Sequence, residues 1–418
     1  MERRLRGSGA AFLAFAAATF CALVALSAAA AEPLRVVLIS LDGTRPADIT
    51  RESVPSLVAA GERGAVALRL IPSIPANTFP SHVTLVTGVA PELHGLVNNV
   101  FLDPERGVFE KEDIATWIEV EPLWSLLAAE GIPSASYYWV GSEEPWRSGR
   151  GPRWSKKFSS RTGEEKKVEQ ILAWLDLPAD ESPHFITSWF HGADHAGHRY
   201  GVGSEAVQRS LQKQDLSISR LIDGIGEREL WPTTTLIFVS DHGMVGAERR
   251  LNLTKELKAV GIRARVFGIG GFATVDLGAA GRRDAEIAER AVARAREVGL
   301  QAHLRARAPA DWRVGHVRFA DVVVRAPVGT AIVYGDLDLA GYHGYDPAEP
   351  SMASIFMAIG RGVASGTRLP VVHSVDVAPT VLALFGLKVP AWMEGRPIAS
   401  IVPPPHSSAT LDAPSLSE

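Results

Sequence analysis

The sequence predicts an α/β fold, a mostly parallel central sheet flanked by helices with a smaller inserted lobe. Three observations predict it. A near-continuous apolar run from Val36 to Leu41 recurs at Phe185–Phe190, Thr235–Ser240 and Ala353–Ile359, the pattern of strands buried on both faces. Helix-like segments lie between them, at Pro122–Glu130, Glu164–Leu175 and Ala206–Ile225. Finally, Asp42 and Asp241 each fall just after a strand, where open α/β sheets gather their ligands.

The remaining elements can be taken in chain order. Arg3, Arg4 and Arg6, an apolar stretch from Ala10 to Leu26, and Ser27 to Ala31 have the order of a secretory signal over residues 1–31. A retained anchor is the alternative, though the run is short and alanine-rich for a bilayer span. Residues 32–402 form the predicted domain. Within it, residues 250 to about 340 break the strand–helix rhythm with an Arg/Ala-rich helix, Arg282–Val298, and a strand-like Val317–Val324, which predicts the inserted lobe. The sheet pattern resumes after His343, and Val375–Leu384 reads as a closing helix. Residues 403–418 are rich in Pro, Ser and Ala without periodicity and predict a disordered tail.

Composition narrows the function. With 46% hydrophobic and 22% charged residues the chain is ordinary globular material. Its net charge of −4 offers no basic footprint for a nucleic-acid duplex. The only cysteine, Cys21, lies in the signal, so any metal must be held by oxygen and nitrogen ligands.

Four stretches carry such ligands. Asp194 and His198 share a face if their segment is helical, suited to one ion. Asp241-His242-Gly243 leaves the sheet at a usual site, Asp42 ends the first strand, and His343 sits in Gly341-Tyr342-His343-Gly344. Three carboxylates and three histidines suffice for two ions. Thr78, in Asn77-Thr78-Phe79-Pro80-Ser81-His82, reads either as a helix N-cap or as a nucleophile. A threonine hydroxyl becomes nucleophilic when cation ligation lowers its pKa, and a helix opening near Pro80 would add donors for a phosphate. The run Glu164-Glu165-Lys166-Lys167 reads as a solvated helix face.

In order along the chain, Val37-Leu38-Ile39-Ser40-Leu41-Asp42-Gly43, Asn77-Thr78-Phe79-Pro80-Ser81-His82, His94-Gly95-Leu96-Val97-Asn98-Asn99, Asp194…His198, Asp241-His242-Gly243-Met244 and His343-Gly344-Tyr345-Asp346 form a set. This set resembles the nucleotide pyrophosphatase/phosphodiesterase family of the alkaline phosphatase superfamily, from about residue 34 to 390. The resemblance implies an alkaline-phosphatase-like core and two zinc ions. Asp194, His198 and His343 would hold one, and Asp42, Thr78, Asp241 and His242 the other. Thr78 would form a covalent phosphoryl intermediate, hydrolysed by water activated at the first zinc. Asn99 would contact a phosphate oxygen, assisted by the backbone N–H of Phe79. The chain departs from the family at Thr44 and at Gly192-Ala193, which leaves the ligands intact but alters their surroundings.

The same resemblance places Phe79 against a nucleobase, with Trp154 as the candidate second aromatic. Gly141-Ser142-Glu143-Glu144 stands where related phosphomonoesterases carry a Lys-x-Arg pair, which favours diesters. The expected protein is therefore an exported, periplasmic or secreted hydrolase acting on nucleotide phosphodiester or phosphoric anhydride bonds. It would be a monomer or dimer, without stable membrane association once the signal is removed. Alternatives on the same fold are a lipid- or choline-type phosphodiesterase and a phosphonate hydrolase. A catalytically silent metal-binding protein is the alternative of a different class.

Overall fold

The computed structural model describes residues 33–335 and 338–402. The expected signal (1–31) and tail (403–418) lie outside the described residues. Among the described residues, no helix is long and apolar enough to cross a membrane.

Eight strands form the central sheet: β1 (Arg35–Leu41), β2 (Ala65–Ile71), β3 (Ser134–Tyr137), β4 (Trp154–Lys156), β5 (Phe185–Phe190), β6 (Thr234–Val239), β7 (Phe356–Gly360) and β8 (Thr367–His373). Their spatial order is β8-β2-β7-β6-β1-β5-β3-β4. All neighbours are parallel except β7, which runs antiparallel to both β6 and β2. The α/β architecture read from the buried runs is the one observed.

Burial on both faces explains why β1 reads as continuously apolar. Its side chains alternate with period two. Val37, Ile39 and Leu41 enter one core with Ile171, Phe190 and Ile218, while Val36 and Leu38 enter another with Val86, Trp124 and Val381. In register, Leu41 pairs with Phe190 and Ser40 with Val239. The carboxyl ends of β5, β1 and β6 therefore stop side by side, and the segments leaving them emerge together at one edge of the sheet.

Four helices bear on the site: α1 (Thr78–Thr87), α2 (Glu164–Leu175), α3 (Gly192–Tyr200) and α4 (Glu205–Glu227). The Ser204 hydroxyl caps α4 by accepting from the Val207 N–H. The apolar stripe of α4, including Leu211, Ile218 and Ile225, packs on the β1 face. Lys167 departs from the expected solvated face of α2: it is 3% exposed, and its ammonium donates to the Trp189 carbonyl at 2.6 Å. The 3.6-residue turn carries it to the core-facing stripe beside Val168, Ile171 and Leu172.

Within residues 250–340, Arg265–Phe267, Phe272–Asp276, Val322–Arg325 and Gln301–Leu304 make a separate antiparallel sheet of four strands. Two local expectations fail there. The helix expected over Arg282–Val298 is broken at Asp284, whose carboxylate accepts from the Glu286 and Ile287 N–H groups and starts a new helix, Ala285–Glu297. The strand expected to open at Val317 begins at Val322, because Val317–Phe319 is a 3₁₀ turn ended by Ala320 at φ 57°.

Candidate active site

The three strand ends place the expected residues together. Asp42 follows β1 and Asp241 follows β6, both 1% exposed, with His242 fully buried beside them. After β5 the chain turns at His191 into α3, whose helical spacing puts Asp194 and His198 on one face, Asp194 Oδ1 lying 3.4 Å from His198 Nε2. His343 comes from a distant loop, its ring stacked on His242 at 3.8 Å between centroids and 5.1 Å from His198. Two sets of three have ligand atoms within 4.8 Å of one another: Asp194, His198, His343 and Asp42, Asp194, His242. Asp194 reaches both. Asp241 joins the second through its Oδ2, 3.2 Å from His242 Nε2.

Helix α1 begins at Thr78, two residues before the expected Pro80. The N-cap is Asn77, in extended conformation. Thr78 therefore does not cap its helix. Its hydroxyl lies 3.1 Å from His242 Nε2, and Asp42 Oδ1 lies 3.5 Å from the same nitrogen. The Phe79 N–H, in the first helical turn, donates to Asn99 Oδ1 at 2.9 Å, so it orients that amide and is not free for a phosphate oxygen as expected.

Two features of this arrangement fit bound divalent cations. Asp42 Oδ1, Asp194 Oδ1 and Asp241 Oδ2 are buried with no hydrogen-bond partner among the described residues. Burial, then the neighbouring Asp241 charge, pushes the Asp42 carboxyl well above its ordinary pKa. Such a knot of carboxylates asks for compensating positive charge. Each histidine, moreover, uses Nδ1 on an oxygen: His198 on Gly341 O at 2.8 Å, His242 on Gly243 O at 2.9 Å, His343 on Asn77 Oδ1 at 2.7 Å. With Nδ1 as donor, all three turn a bare Nε2 inward, the ligand tautomer.

The surroundings hold the acids in place. The Trp189 indole N–H donates to Asp42 Oδ2 at 2.8 Å, and the Gly43 N–H to Asp241 Oδ1 at 3.2 Å. His82, fully buried between Trp139 and Trp189, holds the Thr78 carbonyl through Nδ1 at 2.8 Å. His94 binds the same helix, its Nε2 at 3.1 Å from Thr84 Oγ1. Both brace helix α1 from within the buried interior.

Trp154 is not brought to Phe79. It lies on edge strand β4, partly buried against the core of Trp174 and Leu175, whereas Phe79 belongs to the cluster of Phe109, Trp117 and Phe319. Two neighbours of the site escaped the sequence. Lys111 places its ammonium 4.9 Å from the Phe79 ring centroid. Phe158, 41% exposed, stacks on Trp189 at 5.1 Å and meets His191 edge-on. An exposed aromatic in a polar stretch between β4 and α2 is a weak signal, and only the fold shows what it touches.

Residues 36–346 match the family described as type I phosphodiesterase/nucleotide pyrophosphatase. The chain is 32% identical over 349 residues to an uncharacterised pyrophosphatase/phosphodiesterase of Schizosaccharomyces pombe, covering 78% of this chain and 71% of the yeast protein. It is 34% identical over 215 residues to human ectonucleotide pyrophosphatase/phosphodiesterase family member 1, covering 50% of this chain but only 23% of that longer protein. In fold it is similar to murine ectonucleotide pyrophosphatase/phosphodiesterase 5, with a TM-score of 0.78 and 23% identity over 85% of this chain and 96% of the murine one. The murine protein has also been solved as an inactive variant in complex with AMP.

Proposed function

Because the chain belongs to the type I phosphodiesterase/nucleotide pyrophosphatase family, we propose that it hydrolyses phosphodiester or phosphoric anhydride bonds of nucleotides, releasing a nucleoside monophosphate. The observation that carries this reading is the Thr78 hydroxyl, set not on a helix cap but 3.1 Å from His242 Nε2 among carboxylates that lack partners.

Asp194, His198 and His343 would hold one zinc ion, and Asp42, Thr78, Asp241 and His242 the other; nitrogen and oxygen donors suit that metal. When bound, the pair would supply Lewis acidity at the phosphoryl oxygens and lower the pKa of the threonine hydroxyl. Thr78 Oγ1 would bond to phosphorus as the bond to the leaving-group oxygen breaks. Water then displaces the threonine and frees the monophosphate. Asn99, its carbonyl side committed to the Phe79 N–H, has its Nδ2 left to donate to a phosphate oxygen. Being at the start of α1, the phosphate also faces the positive end of that helix.

Support for nucleotides comes from Phe79 at the site and from the AMP complex of the murine relative. Phe158, beside Trp189 and His191, replaces Trp154 as the candidate second aromatic. The N-terminal pattern and the ectonucleotide relatives support export, with residues 1–31 as signal and 32–402 as catalytic domain.

Hydrolysis of bis(p-nitrophenyl) phosphate and of dinucleotides tests the reading. Thr78→Ala is expected to lose about a thousandfold or more in kcat, and a chelator to silence the wild type until zinc is restored. Unchanged turnover in Thr78→Ala would refute the nucleophile. A preference for phosphocholine or phosphonate esters over nucleotides would overturn the substrate class while leaving the chemistry.

A further inference from the structure

Asn77 occupies the N-cap of α1, the position where an asparagine side chain normally accepts from the N–H groups of the first turn. Here its side chain makes no such bond. Its Oδ1 instead accepts from His343 Nδ1 at 2.7 Å, and its Nδ2 donates to Asn98 Oδ1 at 2.8 Å. Asn98 Oδ1 also accepts from the Asn99 N–H at 2.8 Å, so both of its lone pairs are used. Asn99 Oδ1 in turn accepts from the Phe79 N–H at 2.9 Å. Asn77 and Asn98 are 2% and 1% exposed, so nothing in solvent competes for these bonds.

The bonding fixes directions as well as positions. With Asn98 Oδ1 accepting twice, Asn77 must point Nδ2 toward it and Oδ1 toward His343. An Oδ1 facing the imidazole requires a proton on Nδ1 and leaves Nε2 bare. Backbone turns at Gly344 (φ +87°) and Gly268 (φ +117°) bring the chain so close that a Cβ would lie 2.6 Å from Asn77 Oδ1 or 2.8 Å from Asn98 Nδ2. The pair is thus enclosed on both sides by glycines.

We propose that Asn77 and Asn98 are positioning residues, an amide bridge that sets the His343 imidazole and the Asn99 side chain in one frame. It rests on the phosphoryl-transfer reading above, in which His343 holds an ion and Asn99 meets the phosphate. The lost capping bond is the physical sign of it: a side chain best placed to stabilise its helix is turned to the site.

The test uses the full chain and separates the two ends of the bridge. In metal-free wild type, imidazole nitrogen NMR is expected to show His343 with Nδ1 protonated. Asn77→Leu should lose that tautomer preference and about 10–100-fold in zinc affinity, read by competition with a chromophoric chelator. Asn77→Asp keeps the acceptor for His343 but not the donor to Asn98, so zinc affinity should hold while kcat falls about tenfold or more. Asn98→Ala should show the same split, and Asn98→Asp, which keeps the twice-used Oδ1, should recover most of the rate. Melting curves confirm that each variant is folded. Wild-type kcat in both Asn77→Asp and Asn98→Ala, or an unchanged His343 tautomer and zinc affinity in Asn77→Leu, would overturn the bridge. Failure of wild type to hydrolyse any phosphodiester would instead refute the proposed activity, and the tautomer measurement would still decide the bridge.

Discussion

The two halves of the candidate site are built differently. Asp42, Asp241 and His242 stand at the ends of adjacent strands in the sheet interior, each at most 1% exposed. Asp194 and His198 stand on α3, their side chains 16% and 22% exposed. His343 lies between the halves, stacked on His242 and near His198. The strand-borne half is held by the parallel register of β1 and β6 and cannot spread to relieve its like charges. The helix-borne half is partly exposed, so water screens some of its charge. Rigidity is therefore obtained where burial is deepest, and there metal-free folding is opposed most strongly.

The contrast is broken or sharpened most by Asp42→Asn. Without metal, it should stabilise the fold by on the order of 1–2 kcal/mol, as removal of charge from strained functional sites commonly does, while abolishing activity in zinc. Asp194→Asn should stabilise metal-free protein less. Equal shifts in chemical denaturation would show that the two halves carry the same strain.

A smaller effect is expected from Trp189→Phe, which deletes the N–H that holds Asp42 Oδ2 at 2.8 Å. Zinc affinity should fall about 10–100-fold with the fold intact. Affinity equal to wild type would mean that the strand ends alone orient the carboxylate.

Acid unfolding gives the finest comparison. Burial lowers the pKa of His94 from 6.5 to about 3. The unfolded chain therefore takes up a proton that the fold refuses, and stability falls as pH drops from 6.5 toward 3, by up to about 4 kcal/mol. Asp42 works the other way. Its folded pKa is raised above 3.8, so in metal-free protein the fold protonates first and gains stability as pH falls toward 3.8. Urea titrations at stepped pH should show metal-free Asp42→Asn losing stability more steeply below pH 6.5 than wild type. Parallel curves would remove Asp42 as the opposing group.

Much of this was legible because certain signals are local. Runs such as Val36–Leu41 and Phe185–Phe190 are apolar on both faces, and only a sheet covered on both sides buries them. The spacing of Asp194 and His198 needed only that their segment be helical, as it is. The Lys167 reading failed because charge predicts solvent while helical phase, at a residue beside the stripe, predicts core. Trp154 differs for another reason: the resemblance implies a second aromatic beside Phe79, but edge strand β4 turns Trp154 to another core.

Alone, the sequence determined the strands buried on both faces, the longer amphipathic helices and which residue types could ligate, since periodicity and chemistry are properties of a few consecutive residues. Tertiary structure decided what meets. That Asn77 abandons its cap for His343, 266 residues away, that His242 faces Thr78 from 164 residues off, and that Phe158 rests on Trp189 depend on sheet order and loop closure. No local window of the chain carries that information, because those contacts exist only once distant backbones have been brought into register.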